Sequence, residues 1–207
     1  MSGAGFIPAP QEPPPRRGAT ADPPRVRAFV ALDFEESMRA RISALMEELR
    51  GRVPGVRWVR PEGVHVTLRF LGWTDPAALE RLQPLLAAAA AGCPAAEARI
   101  GGVGVFPERG GPRVIWLSVE LPEPVLALQR ECEKAAVQAG FPAEPRPFRP
   151  HLTLGRIKER TSRPLLPTDE LGATRLDHLV LFRSQLQSGG AVYTPLARFA
   201  LGGSGLA

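Results

Sequence analysis

Lysine is nearly absent from this chain. Of its 26 basic residues only Lys134 and Lys158 are lysines, and the rest are arginine. With abundant alanine, glycine and proline, that bias reads as GC-rich codon usage rather than as function. Cysteine is also scarce. Cys93 and Cys132 are the two thiols, too few for a disulfide framework, and their spacing matches no zinc or redox motif. Both read as reduced and structural, Cys132 on a helix and Cys93 in a Gly-Cys-Pro turn. No apolar run approaches the length that spans a bilayer. The N-terminus has no apolar h-region of the secretory kind. A cytoplasmic location with no membrane partner is the expectation.

What is present suits one folded unit. The 207 residues are 44% apolar and 23% charged, ordinary for a globular protein with a substantial core. Residues 1–24 carry the runs Pro13-Pro14-Pro15 and Pro23-Pro24. Such a stretch cannot bury enough apolar surface to offset its ordering entropy, so a disordered tail over 1–24 and a single domain over 25–207 are expected. In the tail Arg16 and Arg17 balance Glu12 and Asp22, so the net charge of +5 lies on the domain. A mild positive field favours an anionic partner such as a phosphate ester or nucleic acid.

Periodicity divides the domain into interleaved strands and helices. Residues 26–34 read as a buried strand. Met38, Ile42, Leu45, Met46 and Leu49 recur at helical spacing over 35–50. Strands follow at 56–59 and 64–71, with a turn at Pro61-Glu62-Gly63. Asp75 caps a helix to about Ala91. Strands near 97–106 and 113–120 precede a helix over roughly 123–139 that stops at Gly140. Further strands are expected at 151–157, 174–183 and 191–200. The mixture indicates an α+β domain with largely antiparallel sheets.

Three histidines occur, and two of them open the same tetrapeptide: His65-Val66-Thr67-Leu68 and His151-Leu152-Thr153-Leu154. Each comes after a proline-containing turn and reads as a strand. Alternation puts His65 and Thr67 on one face, with Val66, Leu68 and Phe70 packing the core on the other. His151 and Thr153 likewise oppose Leu152 and Leu154. Two such strands brought together present two imidazoles and two hydroxyls to one groove. His178, in L-D-H-L-V-L, has no such companion and reads as structural.

The paired His-h-Thr-h motifs, h being apolar, resemble the signature of the two-histidine (2H) phosphoesterase superfamily. The closest likeness is to bacterial and archaeal RNA 2′,3′-cyclic phosphodiesterases, once described as 2′–5′ RNA ligases. The resemblance runs from about Arg27 to Phe199. It includes V-R-W-V-R-P-E-G-V-H-V-T-L-R-F-L-G at 56–72, R-P-F-R-P-H-L-T-L-G-R at 146–156 and L-F-R-S-Q-L at 181–186. It implies a bilobal, pseudo-twofold α+β fold, with two mainly antiparallel sheets flanked by helices around a central cleft. It would also put a helix within 158–173, where Pro164 and Pro167 leave room only for a short one.

The residue types suit hydrolysis of a cyclic phosphate without a metal or cofactor. Imidazole titrates near 6.5, so one ring can accept a proton from water while another donates to the leaving ribose oxygen. By family analogy His65 is the proton donor and His151 the acceptor, although the symmetry of the motifs does not distinguish them. Thr67 and Thr153 would donate to the non-bridging oxygens. Arg69, on the His65 face, is a candidate phosphate or backbone contact, with a solvated surface charge as its alternative. Arg156 needs a twist or bulge to face His151. Phe148 is a candidate base-stacking ring, or else core packing. The expected partners are RNA ends or small cyclic-phosphate nucleotides, bound by a monomer. The alternatives are a zinc hydrolase, a non-catalytic RNA-binding module, and the same fold acting on 2′–5′ linked RNA or another cyclic nucleotide. Neither motif carries the carboxylate or thiolate that zinc sites use.

Overall fold

The computed structural model describes residues 24–107, 111–158, 164, 166–168, 170–187 and 190–202. Apart from Pro24, the expected tail lies outside these residues, as does most of the stretch where a short helix is expected after the second motif. Among the described residues the chain forms nine strands, three α-helices and one 3₁₀ turn. In order they are β1 (Val26–Leu32), α1 (Glu36–Arg52), β2 (Val56–Trp58), the 3₁₀ turn Pro61–Gly63, β3 (Val66–Thr74), α2 (Pro76–Ala91) and β4 (Ala96–Phe106). Then come β5 (Val114–Glu120), α3 (Glu123–Gln138), β6 (His151–Ile157), β7 (Glu170–Leu176), β8 (His178–Gln187) and β9 (Gly190–Ala200).

Two sheets result, both antiparallel. One runs β3-β1-β8-β9 and the other β2-β6-β5-β4-β7. The first motif strand, β3, is at the edge of one sheet, and the second, β6, is inside the other. The two strands adjoin across the sheets.

The helices end where their sequences say. Asp75 accepts a hydrogen bond from the Ala77 backbone N–H at 2.8 Å and caps α2. Gly140 takes φ +99° just after α3, a left-handed conformation that glycine adopts at no steric cost. The buried faces are those of the periodic pattern: Met38, Ile42, Met46 and Leu49 on α1, and Val125, Leu128 and Cys132 on α3. Cys93 and Cys132 are both free and buried. One core joins the helices to both sheets. A smaller apolar cluster, Phe29, Ala31, Val180 and Phe182, covers the opposite face of the first sheet.

One expected strand, 174–183, is two. Leu176 ends β7 against β4, and His178 begins β8 against β1. Asp177 between them carries the chain from one sheet to the other. The apolar residues Leu176 and Leu179 are three apart, so no single alternating strand accommodates both.

Candidate active site

The peptide before each motif positions its imidazole. The Nδ1 of His65 lies 2.7 Å from the carbonyl oxygen of Gly63, and the Nδ1 of His151 lies 2.8 Å from that of Arg149. A carbonyl only accepts, so each Nδ1 carries the proton and donates. Each neutral ring is thereby fixed in the tautomer whose Nε2 is unprotonated. His65 sits one residue before β3 rather than within it. Its loop is held from α1: Arg39 donates to the carbonyls of Glu62 at 3.1 Å and Val64 at 3.3 Å, and itself pairs with Asp33.

Aromatic rings surround both histidines. His65 stacks on Phe29, with centroids 4.5 Å apart and planes at 24°. It meets Tyr193 edge-on at 5.0 Å. His151 meets Phe106 edge-on at 5.6 Å, and Phe106 stacks on Trp116 at 4.8 Å. The Trp116 indole lies over Gly104, where any Cβ would collide with it. Sequence reasoning did not single out Phe29, Phe106, Trp116, Phe182 or Tyr193, because each reads as an ordinary strand residue.

Burial among these rings pushes the His65 pKa down to about 4, with the charges of Arg39 and His151 adding to the effect and the Gly63 hydrogen bond opposing it. His151 is also lowered, first by burial and then by the charge of Arg156, against the Arg149 hydrogen bond. The two motif strands are in contact, near enough that the charge of His151 acts on His65. Tyr193, edge-on to His65, feels the charge of Arg156 on the other motif strand. A cavity of about 470 Å³ opens beside His65, lined among others by Arg39, Phe182, Tyr193 and Arg198.

Alternation breaks in both motif strands at the same place. On β3, Thr67 pairs with Ala31 and Arg69 with Val30, so Leu68 is unpaired. On β6, Thr153 pairs with Trp116 and Gly155 with Ile115, so Leu154 is unpaired. Each extra residue reverses the facing of the residues after it. Arg69 is therefore not a groove residue. It is 6% exposed, pairs with Glu133 at 2.5 Å and donates to the carbonyls of Phe70 and Pro142.

Phe70, expected in the core, is instead 45% exposed, with its ring 6.2 Å from that of Phe29. The matching bulge turns Arg156 towards His151, the condition its expected role required. Phe148 is half-buried and packs against the main core. His178 pairs with Asp177 at 2.7 Å. The bulges had a trace in the sequence. The apolar spacing goes from two to three after each motif, at Val66, Leu68, Leu71 and at Leu152, Leu154, Ile157.

A family model for the 2′-5′ RNA ligase superfamily matches residues 35–185. The RNA 2′,3′-cyclic phosphodiesterase of Methanothermobacter thermautotrophicus is 36% identical over 184 residues, covering 86% of this chain and 100% of the relative. That of Aquifex aeolicus is 33% identical over 187 residues, covering 86% and 98%. Among solved structures, TT0787 of Thermus thermophilus superposes with a TM-score of 0.75 at 30% identity, covering 86% of this chain and 100% of that one. LigT of E. coli, crystallised with 3′-AMP, gives 0.74 at 25% identity, covering 86% and 98%. Matched by the family model over most of its length and by these relatives over theirs, the chain belongs to the 2′-5′ RNA ligase superfamily of two-histidine phosphoesterases, and within it to the RNA 2′,3′-cyclic phosphodiesterase family.

Proposed function

We propose that this protein hydrolyses a terminal 2′,3′-cyclic phosphate of RNA to a 2′-phosphomonoester, without a metal, using His65 and His151 as an acid–base pair. One observation carries the reading. Both imidazoles donate Nδ1–H to a backbone carbonyl two residues earlier, which makes Nε2 the proton-accepting nitrogen of each neutral ring.

In the proposed reaction His151 Nε2 takes a proton from water as its oxygen bonds to phosphorus. The bond from phosphorus to the 3′ oxygen breaks, and His65 Nε2–H protonates that oxygen. Each transfer contributes on the order of 10²–10⁴ in rate. Thr67 and Thr153 donate to the non-bridging oxygens, and Arg156 supplies a charge that the phosphate anion complements. In the free protein both rings favour the neutral form. An anionic phosphodiester between them reverses that preference and lets one ring hold the proton it must donate.

The test is an assay of purified protein in EDTA against RNA ending in a 2′,3′-cyclic phosphate, with 2′- and 3′-phosphate products resolved. Conversion to the 2′-phosphate is expected. Turnover that stops in chelator and returns with zinc refutes metal independence, and a 3′-phosphate product refutes the assigned leaving group.

A further inference from the structure

The groove face of the first sheet does not stop at His65. Along β1 it carries Ala31, Phe29 and Arg27, which pair across to Thr67, Phe70 and Trp73 on β3. Past Phe70 it opens into a second cavity of about 360 Å³. Arg25, Arg27, Arg183, Trp73 and Ser184 line it, and its lining includes no aspartate or glutamate.

Three guanidiniums around one cavity repel one another unless an anion lies among them. Several arginines elsewhere have acidic partners. Arg39 and Arg198 share Asp33, Arg69 has Glu133 and Arg130 has Glu123. Among the described residues none of Arg25, Arg27 and Arg183 is ion-paired. Arg27 and Trp73 pair two residues along β1 from Phe29 and Phe70, and Phe29 is the ring stacked on His65, so the cavity lies on the same sheet face as the first histidine. From Ala31 to Arg27 the strand advances roughly 13 Å at ~3.3 Å per residue. That is too far for the reacting phosphate and suits the next nucleotide of a strand. A guanidinium fork matches a phosphate, and an indole is a platform for any base.

We propose that this cavity is the subsite for the nucleotide preceding the cyclic phosphate, with the arginines on the bridging phosphate and Trp73 against the base. The inference rests on the proposed function, and it makes the enzyme a reader of RNA chains rather than of free cyclic nucleotides. Hydrolysis itself needs none of these side chains.

The experiment compares adenosine 2′,3′-cyclic phosphate with adenylyl-adenosine 2′,3′-cyclic phosphate. The wild type is expected to favour the dinucleotide. Trp73→Ala and Arg27→Ser each lower kcat/KM for the dinucleotide about tenfold and leave the mononucleotide unchanged, which also shows that the variants are folded. Arg27→Ser further flattens the salt dependence of dinucleotide turnover. Equal losses on both substrates, or none on the dinucleotide, overturn the subsite. Calorimetric titration with adenylyl-adenosine 3′-phosphate separates this from failure of the proposed reaction. If the wild type turns over neither substrate yet Trp73→Ala weakens that binding, the subsite stands and the reaction falls. If binding is unaffected, the subsite falls too.

Discussion

Phe70 and Arg156 occupy equivalent places on the two motif strands. Each lies five residues after its histidine, and each is turned into the groove by an unpaired leucine, Leu68 or Leu154. The paired motifs therefore present unlike side chains, an aromatic ring from one strand and a cation from the other.

Removing the cation tests its place. Arg156→Met deletes one of the causes that lower the His151 pKa. One limb of the pH profile of kcat/KM should then move to higher pH while the other stays, and kcat/KM should fall on the order of tenfold or more as a phosphate contact is lost. Arg156→Lys should recover part of the rate. A profile that does not move would place Arg156 outside the groove.

Arg69 should behave as a structural residue. Deleting one member of a buried ion pair leaves the other unpaired, at a cost of about 3 kcal/mol. Arg69→Met is expected to lower the melting temperature by several degrees while kcat/KM, measured well below the transition, stays near wild type. Loss of activity without loss of stability would return Arg69 to the site.

The burial of His65 makes stability depend on pH. Above 6.5 the ring is neutral in both the folded and unfolded chain. Between 6.5 and about 4 the unfolded chain takes up a proton that the fold refuses, so stability falls as pH falls; below about 4 both states are protonated and this contribution levels off. The loss is at most ~3 kcal/mol, reduced by the partial exposure of the ring. In urea unfolding across this window, the wild type should gain stability relative to His65→Gln as pH rises. Parallel curves would contradict the burial argument.

The threonines should act on the phosphate and not on the fold. Thr67→Val and Thr153→Val keep the β-branched shape and remove only the hydroxyl. Each is expected to reduce kcat on the order of 10² with little change in melting temperature. Unchanged kcat in both variants would remove the hydroxyls from the mechanism.

Much of this molecule is legible in its residues alone. The two motifs stand out because histidine is rare here, and the Asp75 cap and the Gly140 stop come from local chemistry. What alternation missed were the places where a strand gains a residue. A bulge requires no special side chain, so Arg69 and Phe70 looked reversed, and the gain shows only as an apolar spacing of three after Leu68 and Leu154. The same spacing at Leu176 and Leu179 marks the crossing between sheets. The rings around the histidines come from five strands and the loop-borne His65, a convergence that only the sheet order produces.

The pH dependence of kcat/KM on a 2′,3′-cyclic phosphate substrate, measured in EDTA, bears most directly on the two-histidine mechanism. The wild type should give a bell with both limbs at or below about pH 6.5, since both imidazoles are lowered in the free protein, and His65→Ala and His151→Ala should each fall by at least 10² and lose one limb. A single sigmoid in the wild type, or full activity in either variant, would contradict an imidazole pair acting on one phosphate.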